Sequence, residues 1–259
     1  MKFHPFHIVS PSPWPFMLSV NLTVTIVSVF FMFNGMKSFI LQTSILSTLI
    51  VFMFWMIDIA RESGEMGDHT KEVQKGLKFG FTLFIVSEVM FFASFFSAMF
   101  YLSLSPDISV GGMYPPMGIS SLDYSLIPLL NSIILLSSGI SITWSHHSLM
   151  ENNKPQTILG LFITMILGAM FLTIQIVEYY NSSFSISDSV FGSVFFVSTG
   201  FHGIHVMVGL IFISTSIYLI YKNKMTSVNH QLFEMSAWYW HFVDVVWMFL
   251  FIILYWWGG

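Results

Sequence analysis

The spacing of the charged residues constrains this chain more than any other feature. The segments Phe3–Met36, Ser38–Ile57, Tyr124–Met150, Pro155–Val177 and Ser189–Tyr221 contain no Asp, Glu, Lys or Arg. A bilayer core about 30 Å thick is crossed by roughly 20 apolar residues in a helix, so each of the five is long enough for one span. Two more segments, Phe79–Pro106 and Met235 to the C-terminus, are interrupted by one acid each, Glu88 and Asp244. The expected total is seven transmembrane helices.

Composition agrees with that count. Charged residues are 8 % of the 259 and hydrophobic residues 55 %, against about 25 % charged in an ordinary globular chain. That leaves too little polar surface for a soluble globule and too much apolar surface for disorder. The chain has no Cys, which excludes a disulfide scaffold and thiolate ligation of zinc, copper or iron–sulfur clusters. A net charge of −4 gives no case for nucleic acid. Ten-residue alternating strands of the kind a membrane barrel needs are not evident. Met1–Phe16 contains Pro and His but no long apolar stretch, so no signal peptide is expected and the first helix should remain in the mature protein.

Helix breakers fall between the spans. Pro11, Pro13 and Pro15 precede the first, Gly111, Gly112, Pro115 and Pro116 separate the third from the fourth, and Pro155 opens the fifth. With seven spans, Lys2, Arg61, Lys71, Lys75, Lys78, Lys154, Lys222 and Lys224 lie on one side and Lys37 alone on the other. Basic residues collect on the cytoplasmic or matrix side, which puts the N-terminus inside and the C-terminus outside. Asp107, Asp123 and Asp188 fall in the opposite loops. Trp14, Trp55, Trp238, Trp240, Trp256 and Trp257 are expected near helix ends, at the interface; Trp144 and Trp247 lie deeper or are ambiguous. No internal repeat of the transporter kind stands out.

Polar groups inside a span need a reason, because an ionised side chain at the bilayer centre costs at least roughly 2.5–3.5 kcal/mol. Counting from Leu77, Glu88 lies about 16 Å into the third helix, near the midplane. A protonated carboxyl is expected there, or one hydrogen-bonded to Ser87 or to a facing helix. It can serve as glue between helices or as a proton-active, carbodiimide-reactive group. Gly76, Gly80, Ser87 and Ser94 share one face of the same helix, a pattern that permits close helix approach. His202 and His205 are at i and i+3, as are His241 and Asp244. Two histidines do not complete a metal or haem site, and His146, His147 and His241 are few additional candidates; the pairs read better as structural polar contacts. Glu178 is expected at the interface. The one charge-dense segment, Arg61–Lys78, is either a solvated connection or an anionic-lipid headgroup site using Arg61, His69, Lys71 and Lys75. Three functions fit these residues: a transporter or channel using Glu88, a haem-bearing redox subunit, and a structural subunit of a larger membrane complex.

Six motifs in order narrow the choice. SPSPWPF (Ser10–Phe16), RES…HT…VQKGLKFG (Arg61–Gly80), IVSEVMFF (Ile85–Phe92), SITWSHHSLME (Ser141–Glu151), STGFHGIHV (Ser198–Val206) and AWYWHFVDVVW (Ala237–Trp247) together resemble subunit III of cytochrome c oxidase, from about residue 10 to the C-terminus. The resemblance implies an all-α, polytopic membrane protein forming a single membrane domain, with seven helices in a V-shaped two-arm bundle. One arm covers about residues 14–60, a charged inner loop about 61–76, and a five-helix arm about 77–259. It further implies a non-catalytic core subunit of the proton-pumping oxidase, with no catalytic residue, metal or cofactor of its own. Haem and copper sit on partner subunits, subunits I and II and accessory subunits are the partners, and phospholipids fill the cleft. The chain stabilises subunit I and supports proton uptake or oxygen access. Glu88 matches the family's carbodiimide-reactive carboxyl. Headgroup candidates are Trp55, Arg61, Glu62, His69, Lys222, Lys224 and His230. Trp55-Met56-Ile57-Asp58 stands where relatives have Trp-Trp-Arg-Asp, and Asp68 replaces a His, which weakens some of those contacts. The compartment implied is the mitochondrial inner membrane, N-terminus in the matrix and C-terminus in the intermembrane space. The alternatives are subunit III of a bacterial quinol oxidase and a secondary transporter using Glu88.

Overall fold

The computed structural model describes residues 6–35, 39–64, 67, 69–108 and 111–258. Lys2, Lys37 and Asp68 lie outside the described residues. Seven long helices account for the ordered structure: α1 (Trp14–Phe33), α2 (Phe39–Gly64), α3 (Lys71–Leu104), α4 (Ile127–Met150), α5 (Lys154–Asn181), α6 (Ser189–Tyr221) and α7 (Gln231–Leu250), the last continuing as a π-helical turn over Phe251–Trp256. No strand occurs among the described residues, and all seven helices are long and apolar enough to cross a membrane.

Two helix boundaries differ from the sequence reading. Helix α2 runs on through Asp58, Arg61 and Glu62, and α3 begins at Lys71 rather than Leu77. Lys, Glu, Gln and Arg are good helix formers, and Lys75 Nζ donates to Glu72 Oε1 at 2.9 Å one turn away, so most of the charge-dense stretch continues the helices on either side. Thirty-four residues make α3 about 51 Å long, well beyond the hydrocarbon thickness. Its charged first turns can therefore lie in the headgroup layer while Glu88, at the middle of the helix, lies in the apolar part.

The chain divides into two compact units, Met1–Leu77 and Lys78–Gly259. In the first, α1 packs on α2. Ser47 Oγ donates to Asn21 Oδ1 at 2.7 Å, the Thr25 and Thr48 hydroxyls meet at 3.1 Å, and Trp14 Nε1 donates to Asp58 Oδ2 at 3.2 Å while its ring stacks on Phe54. Lipid provides no hydrophobic drive between helices, so such polar contacts and close packing carry the association.

In the second unit, α7 packs on α4 and α6, and α5 packs on α4 and α6. Small residues bring α4 and α5 together: the Ser141 and Thr164 hydroxyls meet at 2.7 Å, and Ser145 Oγ donates to the Thr157 carbonyl at 2.7 Å. A Cβ on Gly160 would lie 2.8 Å from Ser145 Cβ. The small-residue stripe that brings helices close is thus on α4 and α5. On α3, Gly80, Ser87 and Ser94 are exposed in this chain, and no neighbouring atom of the described residues lies within 4 Å of where a Cβ on Gly76 or Gly80 would sit.

Trp240 is a second correction. It is fully buried in the core rather than interfacial, and its indole Nε1 donates to Ser138 Oγ on α4 at 2.8 Å. Its ring occupies the space left by Gly168 on α5 and Gly209 on α6, where added Cβ atoms would lie 2.6 and 2.8 Å from it. One side chain of α7 is thereby fitted against three other helices. Trp247, also buried, repeats the device by donating to Ser132 Oγ at 2.9 Å.

Candidate functional site

Helix α3 carries Glu88 and α6 carries His205, and the two meet: Glu88 Oε2 lies 2.9 Å from His205 Nε2. The facing helix, not Ser87, supplies the partner, since Ser87 Oγ donates back to the Phe84 carbonyl. The other imidazole nitrogen, Nδ1, is 2.7 Å from the Phe201 carbonyl one turn earlier. A carbonyl only accepts, so Nδ1 carries a hydrogen. The Nε2···Oε2 contact then holds one proton, on the carboxyl of a neutral pair or on the ring of an imidazolium–carboxylate pair. In both forms the pair has zero net charge, the condition under which such groups are tolerated in an apolar surrounding. Phe92 and Phe242 meet the His205 ring edge-on and Phe91 and Tyr239 stack near it. The side chains of Glu88 and His205 retain 22 % and 12 % exposure, so the pair sits at the edge of the unit with an opening toward its surroundings.

His202, one turn before His205, does not converge on the same point. It is buried against Phe171 and Trp247, and its Nε2 meets the Val243 carbonyl of α7 at 3.1 Å. His241 Nδ1 and Asp244 Oδ2 approach only to 3.6 Å. Asp244 is buried and His241 is half exposed, and Gly139 on α4 makes the room: a Cβ there would lie 2.6 Å from Asp244 Oδ2.

Glu178, near the end of α5, is buried within the unit rather than facing outward. It is 2 % exposed, and its Oε1 accepts from the Tyr255 hydroxyl at 2.6 Å and from Gln175 Nε2 at 3.1 Å. Asn131 Nδ2 donates to Gln175 Oε1 at 3.4 Å, extending the group to α4. Tyr255 reaches it from the π-helical turn. Sequence spacing gives Gln175 and Glu178 as an i, i+3 pair, but nothing local marks Tyr255, 77 residues away, as their donor.

Of the headgroup candidates, Glu62 and His69 come together through His7, which the sequence reading passed over. His7 Nε2 lies 3.6 Å from Glu62 Oε2, and the His7 and His69 rings meet edge-to-face at 5.2 Å. Glu62 is buried, Arg61 beside it is exposed, and Trp55 is half-buried. In the other unit Lys222 and Lys224 are exposed, whereas His230 is turned inward toward His146 and Glu234.

The family model for cytochrome c oxidase subunit III matches residues 4–259. The chain belongs to the cytochrome c oxidase subunit III family. It is 51 % identical over 258 residues to cytochrome c oxidase subunit 3 of Tachyglossus aculeatus aculeatus, covering 99 % of this chain and 98 % of that one. It is 49 % identical to that of Equus caballus with the same coverage. The match to that of Chondrus crispus is 48 % over 260 residues, 99 % of this chain and 95 % of the relative. The quinol-oxidase and transporter alternatives are not favoured by this pattern. Among the intramembrane polar residues, Glu88 meets His205, whereas His202 turns to the Val243 carbonyl.

Proposed function

We propose that this multi-pass inner-membrane protein acts as a non-catalytic core subunit of cytochrome c oxidase, the respiratory oxidoreductase complex. Family membership over nearly the whole chain carries the assignment to the complex. In this reading haem and copper belong to partner subunits, with subunits I and II as neighbours. Support comes from the histidines: both ring nitrogens of His205 and one of His202 already have protein partners. The N-terminus faces the matrix and the C-terminus the intermembrane space. Arg61, the first turns of α3, Lys154, Lys222 and Lys224 would then share the matrix end, as the bias of basic residues favours.

The observation that carries a role beyond scaffolding is the 2.9 Å contact between Glu88 and His205, whose other ring nitrogen meets the Phe201 carbonyl. A pair that can be written with the proton on either partner lets that proton move between Glu88 and His205 with no change of net charge, and taking up or releasing a further proton would charge the pair for the duration of the transfer. It suits support of proton uptake by the complex and the carbodiimide reactivity the resemblance implies. Glu88→Gln in the assembled oxidase is expected to leave oxygen reduction by cytochrome c largely intact and to abolish carbodiimide labelling of this chain. Loss of oxygen reduction in a fully assembled Glu88→Gln complex would refute the non-catalytic role. We assign phospholipid headgroups to Arg61, Glu62, His69 and Trp55; of these, Glu62 and His69 are brought together by His7. Replacing Arg61 by Gln should lower co-purified phospholipid, and unchanged content would refute that part.

A further inference from the structure

The last turn of α4 and the first turn of α7 bring three ligand-bearing side chains together, a combination hidden in the sequence. His146 lies near the end of α4, His230 caps α7, and Glu234 is one turn into it. One ligand-capable atom of each lies within 4.8 Å of the other two. His230 Nε2 and Glu234 Oε1 are 3.4 Å apart, close to the edge of roughly 3.3 Å that bonds of about 2.0–2.1 Å give a tetrahedral zinc site. The His146 ring is stacked on Phe233 and lies 5.5 Å from the ring of His230. Buried His146 Nε2 has no hydrogen-bond partner among the described residues, a condition that buried polar atoms rarely tolerate without an ion or water. The charge in front of the histidines is supplied by Lys78, whose ammonium pairs with Glu234 Oε2. Lys78 is 39 % exposed on its side chain, so it can swing out to water and yield the carboxylate. His147, adjacent and exposed, is the other titratable group nearby.

We propose that His146, His230 and Glu234 form a binding site for a zinc-type divalent cation, in competition with Lys78. Two imidazoles and one carboxylate are a known zinc donor set that leaves a fourth position for water, whereas calcium and magnesium demand more oxygen ligands. Binding joins α4 to the start of α7 and releases Lys78. The ligands coordinate as neutral imidazoles, so acid weakens the site.

The assembled oxidase, stripped with a chelator, is titrated with zinc sulfate at neutral pH, and retained zinc is counted by mass spectrometry after gel filtration. The wild-type complex should hold one equivalent more than His146→Asn or His230→Gln, each weakening that site by about tenfold or more. Lys78→Met should tighten it by roughly tenfold, because Glu234 loses its competing cation. Equal zinc in wild type and both histidine variants, or weaker binding in Lys78→Met, overturns the proposal. A measurement free of variants runs beside it. Zinc should protect His146 and His230 from diethyl pyrocarbonate in the wild-type complex, read peptide by peptide, and unchanged modification of both overturns the site even if a variant fails to assemble.

Discussion

If one proton is shared between Glu88 and His205, the two side chains should be energetically coupled, and a double-mutant cycle can measure by how much. His205→Ala removes an imidazole packed among Phe91, Phe92, Tyr239 and Phe242 together with its bonds to Glu88 and the Phe201 carbonyl. Loss of that packing and of the hydrogen bonds costs about 3 kcal/mol. Glu88→Ala leaves His205 Nε2 facing an apolar surrounding without its partner, a cost of about 1–3 kcal/mol. In the double variant no orphan remains, so the combined cost should fall short of the sum by about 1–3 kcal/mol. Glu88→Gln is the control. The amide can donate to Nε2 while Nδ1 keeps the Phe201 carbonyl, so its cost stays below about 1 kcal/mol. The assay is the first-order loss of this subunit from the assembled oxidase in detergent at a fixed raised temperature. Independent effects multiply rates; a coupling of 1–3 kcal/mol makes the double variant roughly 5- to 150-fold slower to dissociate than the product of the singles demands. Additivity within about 0.5 kcal/mol would refute the shared-proton contact.

The packing of Trp240 gives a sharper stability test. Gly209→Ala and Gly168→Ala each push a methyl into its rigid ring and should destabilise the second unit by about 1–3 kcal/mol, seen as faster loss of the subunit; unchanged kinetics in both would contradict the fit. Tyr255→Phe removes the 2.6 Å hydroxyl donor of buried Glu178 and should cost about 1–3 kcal/mol, largely recovered by adding Glu178→Gln; no recovery would separate the two residues. In the loop before α6, the backbone N–H and hydroxyl of Ser185 donate to Asp188, which holds its carboxyl below the usual range. A carboxyl lowered by folding contributes stability above its unfolded value of about 3.9, and that contribution disappears as pH falls through the folded value. Hydrogen exchange over residues 183–189 should therefore be flat from pH 7 to about 5, after correction for intrinsic rates, and rise only below about 4; an increase near pH 6 would contradict the assignment.

The seven spans were legible because the cost of charge in lipid is paid residue by residue along the chain, so the pattern of Asp, Glu, Lys and Arg reports it without tertiary information. Helix ends were less legible. Arg61, Glu62, Lys71 and Glu72 are good helix formers, and a helix long enough to leave the hydrocarbon continues through them. The stripe Ser138, Ser141, Ser145 on α4 follows the same small-residue rule as Gly80, Ser87, Ser94 on α3. Among the described residues only the first meets a neighbouring helix, because a stripe states that a helix can be approached and not that a neighbour is there. Trp240 was misplaced for a related reason: Trp favours the interface on average, but an indole with Ser138 to receive its N–H and two glycines to make room is fully satisfied in the core.

The acids inside the spans separate by the partner that the fold gives each of them. Asp244 and Glu88 look alike in sequence as lone acids in apolar segments, although only Asp244 has a histidine one turn away on its own helix. Asp244 has His241 at 3.6 Å on its own helix, with that ring half exposed and nothing positioned on α4 except the gap at Gly139. Glu88 has His205 at 2.9 Å on a different helix, and the Phe201 carbonyl fixes which nitrogen of that ring carries hydrogen. Glu178 has hydroxyl and amide donors, Tyr255 and Gln175, neither of which is a base at neutral pH. Only at Glu88 is the carboxyl in hydrogen-bond contact with a base whose other nitrogen is already committed. Among the described residues it is therefore the intramembrane acid for which a proton can change owner without changing the charge of the site. That distinction depends on an i to i−4 carbonyl and on a contact across 117 residues, and no spacing rule along α3 alone contains it.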